Sequence, residues 1–172
     1  IIEGGSRLRG SLRVNGSKNA ALPLMAAALL ADGPSLFKDV PNLSDIQHQI
    51  NLLRELGCVL ERQADGDLLI NVTDEKHSHA RYDLVRKMRA SICVLGPLLA
   101  KRGYARVSMP GGCAIGDRPV DIHLRGLEAL GAHIELDGGD IIVKADKLVG
   151  AEIFLGGNFG STVLGTANVM SA

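Results

Sequence analysis

The chain has 172 residues, 46% of them apolar and 22% charged, with nineteen basic side chains balancing nineteen acidic ones. This length and apolar content suit one globular domain with a sizeable core, and the zero net charge excludes bulk attraction to nucleic acid or a membrane surface. Only 3% of residues are aromatic and none is Trp, which argues against stacking platforms for single-stranded nucleic acid. The longest apolar run, Ala20 to Ala31, contains Pro23 and is too short to cross a bilayer. Three cysteines, Cys58, Cys93 and Cys113, an odd count without metal-ligand spacing, point to reduced thiols in the cytoplasm.

Taken in chain order, the predicted elements repeat with a period of about seventy-five residues, the mark of units that bury their apolar faces on one another. The first unit, residues 8–72, opens with a strand at Leu12-Arg13-Val14 and a turn over 15–19. An alanine- and leucine-rich helix follows, from Ala20 to Leu30. A strand over 36–40 leads to an amphipathic helix from Ser44 to Leu56, whose Ile46, Ile50, Leu53 and Leu56 share a stripe and which Gly57 stops. Strands at 59–61 and 68–72 close the unit.

The second unit, residues 80–145, offers a helix from Val85 to Lys101, a strand at 105–108 and a glycine-flanked loop. A helix from Pro119, as first helical residue, to Leu130 comes next, and strands at 133–136 and 141–144 end the unit. Leu53 to Leu60 answers Leu127 to Ile134, and Asp45-Ile46 answers Asp121-Ile122. A third unit, residues 148–172, enters a helix near Gly160-Ser161-Thr162 and reads as incomplete, so the chain is expected to be a fragment of a longer protein. The 20–30 helix is apolar nearly all round. The first helices of the units are therefore expected to meet, buried, at a common centre.

The run from Met109 to Asp121 places Cys113 on a glycine-flanked loop, five residues before Arg118. A nearby cation lowers a thiol's pKa, so the loop holds either a reactive thiol beside an anion-binding group or a small residue in a tight turn. Gly16-Ser17-Lys18-Asn19 stands where a helix begins. Its amides and Lys18 suit a phosphate or carboxylate, or Ser17 or Asn19 simply caps the helix. Arg89 is either paired with an acid or presented to an anion, and Asp117 either caps the next helix or leaves Arg118 to clamp an anion. Cys58 and Cys93 read as core. His123 reads as an ordinary packing or surface residue, and His77 and His79 lie in a polar loop. Asn158-Phe159-Gly160-Ser161-Thr162 occupies in the third unit the place of residues 16–19 in the first.

Gly16 to Pro23, Met88 to Ser91 and Pro110 to Asp121 together resemble the UDP-N-acetylglucosamine 1-carboxyvinyltransferases, a branch of the enolpyruvyl transferases, over essentially the whole chain. The cysteine loop is specific to this branch, and the shikimate-pathway branch lacks it. The resemblance implies an α/β (α+β) fold of βαβαββ repeats around buried helices, an inside-out α/β barrel or prism. Two such lobes enclose a cleft. Residues 16–172 are then the cysteine-bearing lobe, with its third repeat truncated, and residues 1–15 belong to the other lobe.

The implied reaction moves the enolpyruvyl group of phosphoenolpyruvate to the 3′-hydroxyl of UDP-N-acetylglucosamine and releases phosphate. It is the first committed step of bacterial peptidoglycan precursor synthesis, in the cytoplasm, with no cofactor and no metal. By the resemblance Cys113 is the catalytic thiol, a proton donor that fosfomycin alkylates. Lys18, Asn19 and Arg118 bind phosphoenolpyruvate. Arg89, Arg118, Pro119, Val120, Asp121, Ile122, Asn158 and Gly160 hold the nucleotide sugar. The catalytic base, an aspartate, lies in the missing lobe. The chain departs from the family at Gly156 to Gly160, where a Lys-x-Ser-x-Gly segment is common and the lysine is missing.

The expected partners are the two small substrates and the second lobe, with neither nucleic acid nor membrane. The alternatives are a non-catalytic module binding a nucleotide sugar or another anion, or a different enolpyruvyl transferase. Strands without partners near residues 1–14 and open apolar surface on the third unit predict disorder or pairing with another copy.

Overall fold

The structure, a computed structural model, describes residues 3–5, 7–110, 120–157 and 160–172. The first unit runs α1 (Lys18–Ala27) with a 3-10 turn (Ala28–Leu30), β1 (Ser35–Phe37), α2 (Ser44–Glu55), β2 (Cys58–Arg62) and β3 (Leu68–Val72). The strands form an antiparallel sheet in the order β1-β3-β2, with Leu60 opposite Ile70. The stripe predicted on α2 is realised: Ile46, Ile50, Leu53 and Leu56 are all buried.

The second unit holds β4 (His79–Ala80), α3 (Tyr82–Val85), a 3-10 turn (Arg89–Val94), α4 (Leu95–Arg102), β5 (Tyr104–Ser108), α5 (Asp121–Ala129), β6 (His133–Asp137) and β7 (Asp140–Lys144). Its sheet is ordered β4-β5-β7-β6, with β4 parallel to β5 and the other pairs antiparallel. The third unit contributes β8 (Gly156–Gly157), β9 (Gly160–Ser161) and α6 (Val163–Met170). Gly57 and Gly131, the predicted helix stops, both take left-handed backbone, with φ of 89° and 97°.

One continuous core runs from Leu22 and Met25 through Leu53, Ile92 and Leu98 to Val143. At its centre α1 packs on the 89–94 turn, that turn packs on α6, and α4 packs on α6. The first helices of the three units therefore meet as expected.

Several expectations change. Leu12-Arg13-Val14 forms no strand: Leu12 and Val14 are 85% and 83% exposed, and among the described residues no strand pairs with them. The strand expected over 36–40 stops at Phe37, because Asp39 turns into the left-handed region at φ 55°. The single helix expected over 85–101 breaks into three pieces. Met88 is extended (φ −153°, ψ 123°), and Pro97 deep inside one continuous helix would leave the carbonyl of Cys93 without a partner and crowd it, at a cost of about 3 kcal/mol. Pro97 instead stands in the first turn of α4. The last amphipathic helix is described from Asp121, with Val120 as N-cap (φ −94°, ψ 0°), and Pro119, expected as its first residue, lies outside the described residues. Finally, α1 is not buried all round. Leu22 and Met25 face the core while Leu24 is 54% exposed.

Candidate functional site

The start of α1 sets the first group of candidates. Ser17 takes the N-cap position with extended backbone, but its side chain makes no capping bond, and Asn19 lies inside the helix, so neither residue caps it. Pro23 has no amide hydrogen for the carbonyl of Asn19, so that oxygen loses its helical partner. Lys18 Nζ lies 2.7 Å from Asp45 Oδ2, both side chains partly exposed. Lys18 is thus already held by an acid from the first turn of α2. In the sequence Asp45 stands out only as the counterpart of Asp121 at the start of an amphipathic helix.

The second group gathers at the start of α5. Val120 is its N-cap, and Asp121 and Ile122 form its first turn. Acidic side chains there complement the helix dipole. Gly157 of the β8–β9 hairpin lies so close to Ile122 that a Cβ would meet its Cδ1 at 2.9 Å. Arg125 Nη2 donates to the carbonyls of Gly156 (2.6 Å) and Phe154 (3.3 Å), tying the hairpin to α5. Gly160 pairs with Gly157 across that hairpin. Thr162 then caps α6, its Oγ1 accepting from the amide of Gly165 at 3.1 Å. Asp121, Ile122 and Gly160 therefore belong to one junction. Arg125, which builds it, went unnoticed in the sequence because a lone arginine on an amphipathic helix carries no local signal.

Arg89 opens the 3-10 turn and is half-buried. It stands near enough to His123 for its charge to act on the imidazole. Burial is the larger cause and, with Arg89, pushes His123 down to about 4, against the opposing pull of Asp121. His123 is 3% exposed, which decides for packing where the sequence leaves packing and surface open. The turn carrying Arg89 also packs on α1, which carries Lys18 and Asn19. Cys113, Arg118, Pro119 and Asn158 lie outside the described residues.

The other thiols are placed as expected. Cys58 and Cys93 are buried and free. Burial pushes Cys58 up to about 11, slightly offset by Arg102, and Cys93 up to about 12. Neither is a thiolate near neutral pH.

Two further polar clusters are structural. An open groove of about 730 Å³ borders His77, His79, Arg81 and Arg102, but Glu55 accepts both bonds of Arg81 (2.6 and 2.9 Å), and Arg102 donates to the carbonyls of His77 and Leu56. Beside it Asp140 accepts from Ser108 Oγ and Arg106 Nε, each at 2.5 Å. Burial pushes its carboxyl up, and these two bonds together with the charges of Arg106 and His79 outweigh burial and hold it below the usual range. Among the described residues no cluster of His, Cys, Asp and Glu is arranged to hold a metal, and no helix is long and apolar enough to cross a membrane.

The chain is 52% identical over 172 residues to a Methylacidiphilum infernorum protein named UDP-N-acetylglucosamine 1-carboxyvinyltransferase, covering 100% of the chain and 40% of that protein. Proteins of the same name from Desulforapulum autotrophicum and Akkermansia muciniphila are 53% and 45% identical, with 99% and 100% of the chain covered and again 40% of each relative. The chain thus spans about 40% of the length of the curated relatives it matches. Among solved structures, the enolpyruvyl transferase NikO from Streptomyces tendae matches with a TM-score of 0.68 at 23% identity, over 84% of this chain and 32% of its own. An EPSP synthase from Acinetobacter baumannii matches with 0.68 at 17%, over 94% and 37%. These structures share the mixed α/β fold. The family match covers residues 2–172, and the chain belongs to the EPSP synthase (3-phosphoshikimate 1-carboxyvinyltransferase) family.

Proposed function

We propose that the protein containing this chain transfers the enolpyruvyl group of phosphoenolpyruvate to the 3′-hydroxyl of UDP-N-acetylglucosamine, releasing phosphate. The observation that carries the reading is the junction of Asp121, Ile122 and Gly160, with Arg89 reached through His123. It lies in a chain about half identical to relatives of that name. The junction supports nucleotide-sugar binding by Val120, Asp121, Ile122 and Gly160, and the resemblance extends the reading to Arg89, Arg118, Pro119 and Asn158. Lys18, Asn19 and Arg118 take the phosphoenolpyruvate, a dense anion that cations and helix amides neutralise in a partly dry cleft.

The chemistry needs a proton on the methylene carbon of phosphoenolpyruvate, which Cys113 supplies as general acid. The sugar oxygen then bonds to the adjacent carbon, and its proton goes to a base outside this chain. Loss of a proton from the new methyl group and departure of phosphate complete the transfer. Residues 1–15 pack with the second lobe that the longer relatives leave room for, and the reaction belongs to the cytoplasmic synthesis of peptidoglycan precursors.

The test is Cys113→Ala in the full-length protein, followed by phosphate release. Loss of general-acid catalysis predicts a fall of about 10²–10⁴-fold in turnover, and unchanged turnover would overturn the role. Selective alkylation of Cys113, with Cys58 and Cys93 untouched in the folded protein, would support it.

A further inference from the structure

The side chain of Asn168 is fully buried at the meeting point of α4, α5 and α6. Its orientation follows from two backbone groups that each allow only one reading. The amide of Gly96 can only donate, and it lies 2.6 Å from Oδ1. The carbonyl of Ile92 can only accept, and it lies 3.1 Å from Nδ2. The side-chain NH2 therefore faces Nδ1 of His123, 3.1 Å away. An NH2 group has no lone pair to offer there, so Nδ1 must accept and the ring proton sits on Nε2. Protonating Nδ1 would set two donors against each other inside the core. The fit is close on the α4 side too, where a Cβ at Gly96 would fall 2.0 Å from the carbonyl oxygen of Asn168.

His123 stands on α5 with charged neighbours Arg89, from the 3-10 turn, and Asp121, from its own helix. The group that α6 turns toward it, Asn168, is neutral. Both charged neighbours are candidate nucleotide-sugar residues. We propose that Asn168 is a positioning residue: by bonding Ile92, on the turn that begins at Arg89, and His123, on the helix that begins at Asp121, it locks His123 as the Nε2–H tautomer and holds those two elements for the nucleotide sugar. The role of the lock in binding rests on the transferase reading, whereas the lock itself does not.

The test uses the full-length protein with 15N-labelled histidine. Two-bond nitrogen–proton couplings report which ring nitrogen carries the proton. His123 is expected to show the Nε2–H pattern, unchanged from pH 7 to about pH 5, well below the ordinary histidine value. An Nδ1–H pattern, or titration near about 6.5, would overturn the proposal. Asn168→Asp replaces the NH2 by an acceptor, so the proton should move to Nδ1. Asn168→Ala should let His123 titrate nearer its ordinary value. In both variants the dissociation constant for UDP-N-acetylglucosamine should rise about tenfold, which corresponds to about 1.4 kcal/mol. Wild-type affinity in a folded Asn168→Asp protein with a switched tautomer would sink the positioning role. If neither variant folds, the wild-type spectrum and its pH response still decide whether the lock exists. Wild-type protein with the Nε2–H pattern but no enolpyruvyl transfer would count against the transferase reading and support the lock alone.

Discussion

Gln49 in α2 and His123 in α5 occupy matching places in the first two units, each four residues before the buried leucine (Leu53 or Leu127) that leads to the glycine stop. Both are buried, at 0% and 3% exposure. Their surroundings differ. His123 meets Asn168 of α6, whereas neither Nε2 nor Oε1 of Gln49 finds a partner among the described residues. The same slot in a repeated helix is therefore an energetic liability in one unit and a tie between units in the other. Whether a buried polar group stabilises depends on what the neighbouring unit presents to it.

The largest test of this parallel is the leucine pair. Leu53→Ala and Leu127→Ala each empty a fully buried site and should each cost about 2–5 kcal/mol in urea unfolding. A large difference between them would break the equivalence of the two helices.

Next comes pH. His123 is depressed in the folded state to about 4, so the neutral ring is the form the fold accepts. Its contribution is fully present above the unfolded value of about 6.5 and is lost as pH falls toward 4, by about 3 kcal/mol in all. Stability should decline between those limits, and His123→Gln should flatten that decline. Gln49, which does not titrate, adds nothing to this window. Asp140, also held low, acts only at still lower pH, because a carboxylate with a depressed folded value loses its contribution as it is protonated.

Gln49→Leu should stabilise the protein by about 1–3 kcal/mol, since it removes two unpaired buried polar atoms, whereas His123→Leu should not stabilise it. Equal signs for the two substitutions would remove the contrast. The smallest effect is expected at the start of α2. The Lys18–Asp45 pair is partly exposed, so Asp45→Asn should change stability by less than about 1 kcal/mol.

The parts that read well from sequence are those whose partners are close in the chain. The stripe of α2, the stops at Gly57 and Gly131 and both closing hairpins follow from periodicity and turn residues within a few positions. The broken helix over 82–102 did not, because its apolar run looks continuous and only Pro97 hints otherwise. The strand expected at 12–14 failed for the opposite reason: its residues suit a strand, but a strand exists only where another pairs with it. At the candidate site, Lys18, Arg89 and Arg118 stood out by residue type and residues 119–122 only by the family resemblance. Asp45, Arg125 and Asn168 did not, because each acts through a partner that lies 27, 31 or 45 positions away.

The residues alone determined the repeated plan, the buried stripe on α2 and the family to which the chain belongs. Only the tertiary structure decided that Lys18 is held by Asp45, that the β8–β9 hairpin closes on α5 through Arg125, and that Asn168 dictates the protonation of His123. The reason is physical. Periodicity and turn chemistry act over a few residues and are written locally, whereas the pairing of a buried polar group is settled by whichever distant backbone or side chain the packed helices bring within about 3 Å of it.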